Sequence, residues 1–186
     1  MFEYHDGLAK VANIGYWLLG EVVAAASGQS FTSFATEQVL RRLEIAPAEL
    51  AYRVVDAADH AAGYLEKYPL MNVFKRLLIG GKYIGDYSGR WLRIRDHCVN
   101  GPAFGGLVGS ALGVAKFLRD QLSERSRLFG EATRALFYEQ QRTARGEAIA
   151  MTLGWHIGRH FFYKEGGGGG FHCMMRLYPR AGLGWR

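Results

Sequence analysis

The sequence has little of what marks secreted, membrane or fibrous proteins. Only two cysteines occur, Cys98 and Cys173, too few for a disulfide framework. Each reads as a small buried apolar residue. Four prolines stand against 25 glycines without a G-X-Y period, which excludes collagen and favours a turn-rich globular chain. The longest run without a charge, Cys98 to Ala115, contains Asn100, Pro102 and five glycines and makes a poor membrane span. The opening Met1-Phe2-Glu3-Tyr4-His5-Asp6 has neither the basic nor the apolar stretch of a secretory signal, so the default expectation is a soluble, cytoplasmic chain.

What is present suits a globular domain. The 186 residues are 49% hydrophobic and 22% charged, enough apolar material for a real core and too ordinary a charge content for disorder. A net charge of +6 raises the question of nucleic acid. The arginines are scattered (Arg90, Arg93 and Arg95, then Arg125, Arg127, Arg134, Arg142 and Arg145), and no recognition motif accompanies them, so a solvated basic surface is expected. The five glycines at 166–170 are followed by Phe171 and His172 where a phosphate-binding loop needs lysine and a hydroxyl, so a glycine-rich turn is the better reading. His156 and His160 are four apart, which on a helix could clamp zinc. Here they straddle Gly158 in strand-like sequence, and no metal or other cofactor is expected.

Periodicity divides the chain. Ile14, Leu18, Val22 and Ala26 form a helical stripe that Ser27-Gly28 ends, and Ser30 can cap a second helix with Phe31, Phe34, Ala35, Val39 and Leu43 on one face. These make a helical pair over 1–45. Pro47, Pro69, Pro102 and paired glycines break residues 46–108 into short, loop-rich elements, with a helical patch near Met71 to Leu78. Over 109–145, Ser110 can cap a helix with Leu112, Ala115, Leu118 and Leu122 along one side, and another helical patch covers about 129–141. Over 150–186, Met151 to Ile157, Phe161 to Lys164 and Phe171 to Tyr178 read as antiparallel strands. Helices first and strands last predict an α+β fold in a single incomplete domain, with Tyr16, Trp17, Trp91, Phe104 and Phe171 in its core.

Three segments, in order, resemble one family. NIGYWLLGEVVAAASGQSF at 13–31 is similar to the helix that follows the Y-x-N motif of class C β-lactamases and related esterases. NGPAFGGLVGSA at 100–111, with GVAKFL after it, resembles the segment before a late surface helix of those proteins. TLGWHIG at 152–158, KEGGGGGF at 164–171 and MRLYPRAGLG at 175–184 resemble their final strands, where a K-T-G triad leads into glycines and a phenylalanine. The resemblance implies the C-terminal portion of the β-lactamase/transpeptidase-like fold and acyl transfer by a serine in S-x-x-K. The lysine of that motif and the tyrosine of Y-x-N would share its proton, and backbone N–H groups would form the oxyanion hole.

Carried onto this chain, the resemblance makes Lys164, Gly167 and Asn13 remnants of the catalytic cleft, with Glu165 and Gly166 at the substrate edge. Lys164 stands for the triad lysine, Gly167 for the position whose N–H faces an oxyanion, and Asn13 for the Y-x-N asparagine, although Asn13 also suits a helix N-cap. Three departures follow. The seven serines, at 27, 30, 33, 88, 110, 123 and 126, include none with lysine three residues on. Val11 stands where the family has tyrosine, and valine has no proton to exchange. Glu165 replaces a hydroxyl with a carboxylate that would repel a penicillin-like acid.

Three readings follow. The chain is a truncated hydrolase relative, inactive alone; or an interaction module that uses its glycine-lined cleft or sheet edge; or part of an active acyl hydrolase whose serine lies elsewhere. Uncovered apolar faces at 151–157 and 171–178 would favour a homo-oligomer, most simply a dimer.

Overall fold

The computed structural model describes residues 13–66, 81–97 and 101–185. Val11, Cys98 and the helical patch read near Met71 to Leu78 lie outside the described residues. The chain forms two compact units. One comprises Met1–Val55, Val99–Lys164 and Met174–Arg186, the other Asp56–Cys98 and Glu165–Cys173.

The first unit opens with α1 (Asn13–Ser27) and α2 (Phe31–Ala35), and α2 runs on as a π-helical segment, Thr36–Arg41. Ser30 caps α2, its hydroxyl accepting the Ser33 N–H at 3.2 Å, as its place before an apolar run predicts. Leu40, Leu43, Ile45 and Leu50 close a core beneath it, joined by Val39, Val114, Phe117 and Leu128. β1 (Leu50–Ala51) pairs antiparallel with β5 (Val108–Gly109), and Ser110 then caps α3 (Ala111–Leu122) by accepting the Gly113 N–H. Gly113 is fixed by close approach, because a methyl group there would collide with the Glu49 carbonyl. Glu49 also pairs with Lys116 at 2.6 Å and accepts the Ala46 N–H, which holds its carboxyl below the usual carboxylate range.

α3 is helical where the sequence predicts, but it is rotated. Leu112 is 58% exposed and Ala115 is exposed, while Leu118 is buried and Val114, Phe117 and Leu122 pack beside it. The Gly113 contact with Glu49 sets this rotation, turning the helix face that begins at Leu112 outward. α4 (Glu131–Tyr138) follows. β6 (His156–Ile157), β7 (Phe162–Gly168), β8 (Phe171–Tyr178) and β9 (Leu183–Trp185) make a sheet in that order, with β6–β7 and β8–β9 antiparallel. The expected strand from Met151 is shorter than its apolar pattern suggests. Thr152 Oγ1 accepts the Trp155 N–H at 3.1 Å, folding 152–155 into a turn and leaving two strand residues.

Leu118, Trp155 and Leu177 form the second core, Leu177 being 1% and Trp155 3% exposed. Burying side chains of this size stabilises by about 2 kcal/mol each. Those two residues are therefore covered from within the chain. Leu153 and Phe171 in the same two segments, 151–157 and 171–178, remain 56% and 46% exposed, and apolar side chains are also bare on α1, where Ile14, Leu18, Leu19 and Val22 are each more than half exposed. Trp17, Phe104, Trp91 and Phe171, expected in the core, also reach solvent, whereas Tyr16 is half-buried.

In the second unit, where the sequence shows only broken periodicity, lies a three-stranded antiparallel sheet. Its order is β2 (Gly63–Glu66), β4 (Trp91–Ile94), β3 (Ile84–Ser88). Leu92 and Ile94 on β4 are its buried hydrophobic side chains, alternating with exposed Trp91 and Arg93. A register shift between Ile84 and Tyr87 interrupts the alternation on β3.

Candidate functional site

α1 and β7 supply the site in the first unit. Asn13 begins α1, and Tyr16, one turn on, faces Lys164 of β7, whose Nζ lies 5.3 Å from the Tyr16 ring centroid. Lys164 is half-buried, and burial lowers its ammonium below its ordinary value of 10.5. Among the described residues no carboxylate pairs with it. The Tyr16 ring is the neighbour of that ammonium among the described residues. Asn13 itself is exposed and, with Ile14, Trp17 and Phe104, borders an open depression of about 320 Å³.

Beyond Lys164, β7 continues through Glu165, Gly166 and Gly167, all exposed. β6 pairs with β7 at Phe162 and Tyr163, so from Lys164 onward no described strand pairs with that edge of β7.

The run of five glycines ends in a two-residue hairpin turn, Gly169 and Gly170, at φ 58° and 87°. Positive φ at both positions is the geometry of a type I′ hairpin. The second unit adds steric reasons: a methyl on Gly170 would collide with the Tyr64 backbone, and one on Gly169 with the His97 ring. Gly166 and Gly168 have open space around them, so no such contact demands glycine there.

Six of the seven serines do local work. Ser27 donates to the Val23 carbonyl, Ser30 and Ser110 cap helices, Ser33 is hydrogen-bonded to Ser30, and Ser123 donates to the Arg125 carbonyl. Ser126 donates to the buried Asp120 carboxylate at 2.7 Å and accepts the Leu128 N–H. His156 stacks on Tyr163 on a strand and His160 is exposed. Among the described residues no cluster of three or more His, Cys, Asp or Glu could hold a metal ion. Nor is any described helix long and apolar enough to cross a membrane. Tyr16 is the neighbour of Lys164 that sequence reasoning passed over. It read as core, and the available signal was its place one turn after Asn13.

The sequence profile named Beta-lactamase matches residues 12–185. The chain belongs to the β-lactamase family. Solved structures agree at the level of fold. An octameric penicillin-binding protein homologue from Pyrococcus abyssi superposes with a TM-score of 0.64 at 18% identity, over 92% of this chain and 36% of that one. A class C β-lactamase gives 0.64 at 12% identity, over 98% and 53%. A class C β-lactamase in complex with cefoxitin gives 0.61 at 11%, over 93% and 51%. This member of the family thus spans about a third to a half of the length of those structures. No curated protein matches it. The α+β arrangement expected of a partial β-lactamase/transpeptidase-like fold, helices first and antiparallel strands late, is the arrangement observed.

Proposed function

We propose that this β-lactamase-family chain does not hydrolyse acyl substrates by itself and keeps a remnant of the family's cleft edge as a binding surface. The observation that carries the reading is chemical. No serine stands three residues before a lysine, and valine occupies position 11, where the family places the tyrosine that moves the proton. Without a nucleophile and its proton acceptor, a carbonyl held at this edge has nothing to attack it. The half-buried Lys164 beside Tyr16, with Asn13 one turn away, supports retention of a small acyl or carboxylate ligand. Glu165, Gly166 and Gly167 continue that edge, and Glu165 disfavours ligands whose own carboxylate must lie beside it.

Val11 also weighs against an active enzyme completed by a serine from elsewhere, because a borrowed serine would still lack its tyrosine. The test is intact-mass spectrometry after incubation with p-nitrophenyl acetate. No serine ester should accumulate, and saturable acylation of any of the seven serines would overturn the reading.

A second reading concerns assembly. We infer that the chain associates with itself, as a two-fold dimer in the simplest case. Support comes from the apolar side chains exposed along α1 and from the octameric state named for the Pyrococcus abyssi homologue.

A further inference from the structure

Apart from the cleft edge, the first unit holds a second depression, of about 400 Å³, lined from α2, its π-helical extension, α3 and α4. Phe34, Phe117, Phe129 and Phe137 line it, the rings of Phe129 and Phe137 lying 5.5 Å apart. One lining residue is out of keeping with them. Gln121 stands one turn after Phe117 on α3, so both project from the same side of that helix. It is 3% exposed, and its Nε2 is buried without a hydrogen-bond partner among the described residues. The other end of the amide is satisfied. Burial pushes the Tyr138 phenol up to about 12, so the hydroxyl keeps its proton at neutral pH and donates to Gln121 Oε1 at 2.9 Å. An amide N–H left unpaired in an apolar wall costs free energy that a ligand oxygen would offset.

The π-helical segment Thr36–Arg41 contributes Gln38 and Val39 to the lining, and Arg42 follows directly on it. π turns are rare and occur mostly at functional sites. Arg42 is exposed, and among the described residues no carboxylate pairs with its guanidinium. None of the lining residues is acidic. The depression thus offers aromatic surface, one unpaired N–H donor and one cation, with no negative charge beside them. We propose that it binds a small monocarboxylic acid with an aryl-alkyl body. The ring and chain pack among the four phenylalanines. The carboxylate accepts the Gln121 Nε2 N–H and pairs with Arg42, whose long exposed side chain can turn toward it. The volume falls within the range of small-molecule sites. No lining residue belongs to the Lys164 edge, so the inference stands apart from the acyl-binding reading above.

The probes are phenylbutyrate, phenylbutanol and phenylbutylamine, which share a body and differ in the head. Each is titrated by calorimetry into the native chain and into Arg42→Gln, Gln121→Leu and Lys164→Met. Phenylbutyrate should bind one to one and saturably, with the alcohol and the amine at least ~10-fold weaker. Arg42→Gln and Gln121→Leu should each weaken the acid by at least ~5-fold, and Lys164→Met should leave it unchanged. Circular dichroism checks the fold of each variant. Arg42 is exposed, so its variant decides the outcome even where loss of the Tyr138 bond unfolds Gln121→Leu. No saturable binding at millimolar phenylbutyrate, or an alcohol that binds as well as the acid, overturns the proposal. So does binding that Arg42→Gln leaves intact, and its loss in Lys164→Met would then assign the acid to the cleft edge instead.

Discussion

Replacing Asp120 by alanine tests whether the Ser126 hydroxyl bonded to it is structural. Asp120 is 7% exposed at the end of α3. One carboxylate oxygen accepts the Ser126 hydroxyl at 2.7 Å and the other the Arg127 N–H at 2.7 Å. Ser126 in turn accepts the Leu128 N–H at 3.0 Å, so this single carboxylate holds the loop that leads into α4. Hydrogen bonds to a charged group are worth about 1.5–3 kcal/mol each, and relaxation of the loop toward water recovers part of that. The expected cost of Asp120→Ala is about 3 kcal/mol. Asp120→Asn, which keeps one acceptor, should cost about half as much. At about 2–4 °C per kcal/mol for a chain of this size, alanine should lower the melting temperature by roughly 6–12 °C and asparagine by roughly 3–6 °C. Thermal unfolding followed by circular dichroism reads both. An alanine variant within ~1 °C of the native chain, or an asparagine variant as damaged as alanine, would show that the Asp120 carboxylate does not hold this loop.

Three further outcomes are expected. Leu177→Ala, at a site 1% exposed among Leu118 and Trp155, should cost about 2–5 kcal/mol in urea unfolding, and a loss under 1 kcal/mol would mean the second core is not packed as described. Gly113→Ala should destabilise although alanine is the better helix former, because its methyl would meet the Glu49 carbonyl; a gain in melting temperature would contradict that contact. For Lys164 the folded value lies below 10.5, so the unfolded chain binds the extra proton between the two values, and stability should rise as pH climbs through that window. Lys164→Met should lose this alkaline rise and be no less stable than the native chain at pH 7, and a constant deficit at every pH would reveal a stabilising partner for the cation.

How legible the fold was depended on whether local chemistry or tertiary contact decided each element. Ser30 and Ser110 announce their helices because capping is local, and the glycine run at 166–170 announces a turn because positive φ is local. The orientation of α3 was hidden. Val114, Phe117 and Leu118 compete with Leu112 and Ala115 for the core, and the winner is set by Gly113 against Glu49, far away in sequence. The sheet of β2, β3 and β4 was hidden because its strands are short, half exposed and, on β3, out of register. For α1 the period was plain, but a helix apolar on nearly every side does not say which side is buried. Lys164 stood out only through the family resemblance, since nothing in its neighbours distinguishes a desolvated lysine from a surface one. Tyr16 carries no motif of its own.

We propose that this β-lactamase-family chain does not complete acyl transfer on its own, and the rate at which the purified chain turns over a chromogenic cephalosporin and p-nitrophenyl butyrate measures this. No turnover above the buffer rate is expected at any substrate concentration. Saturable turnover that survives repurification would overturn the proposal.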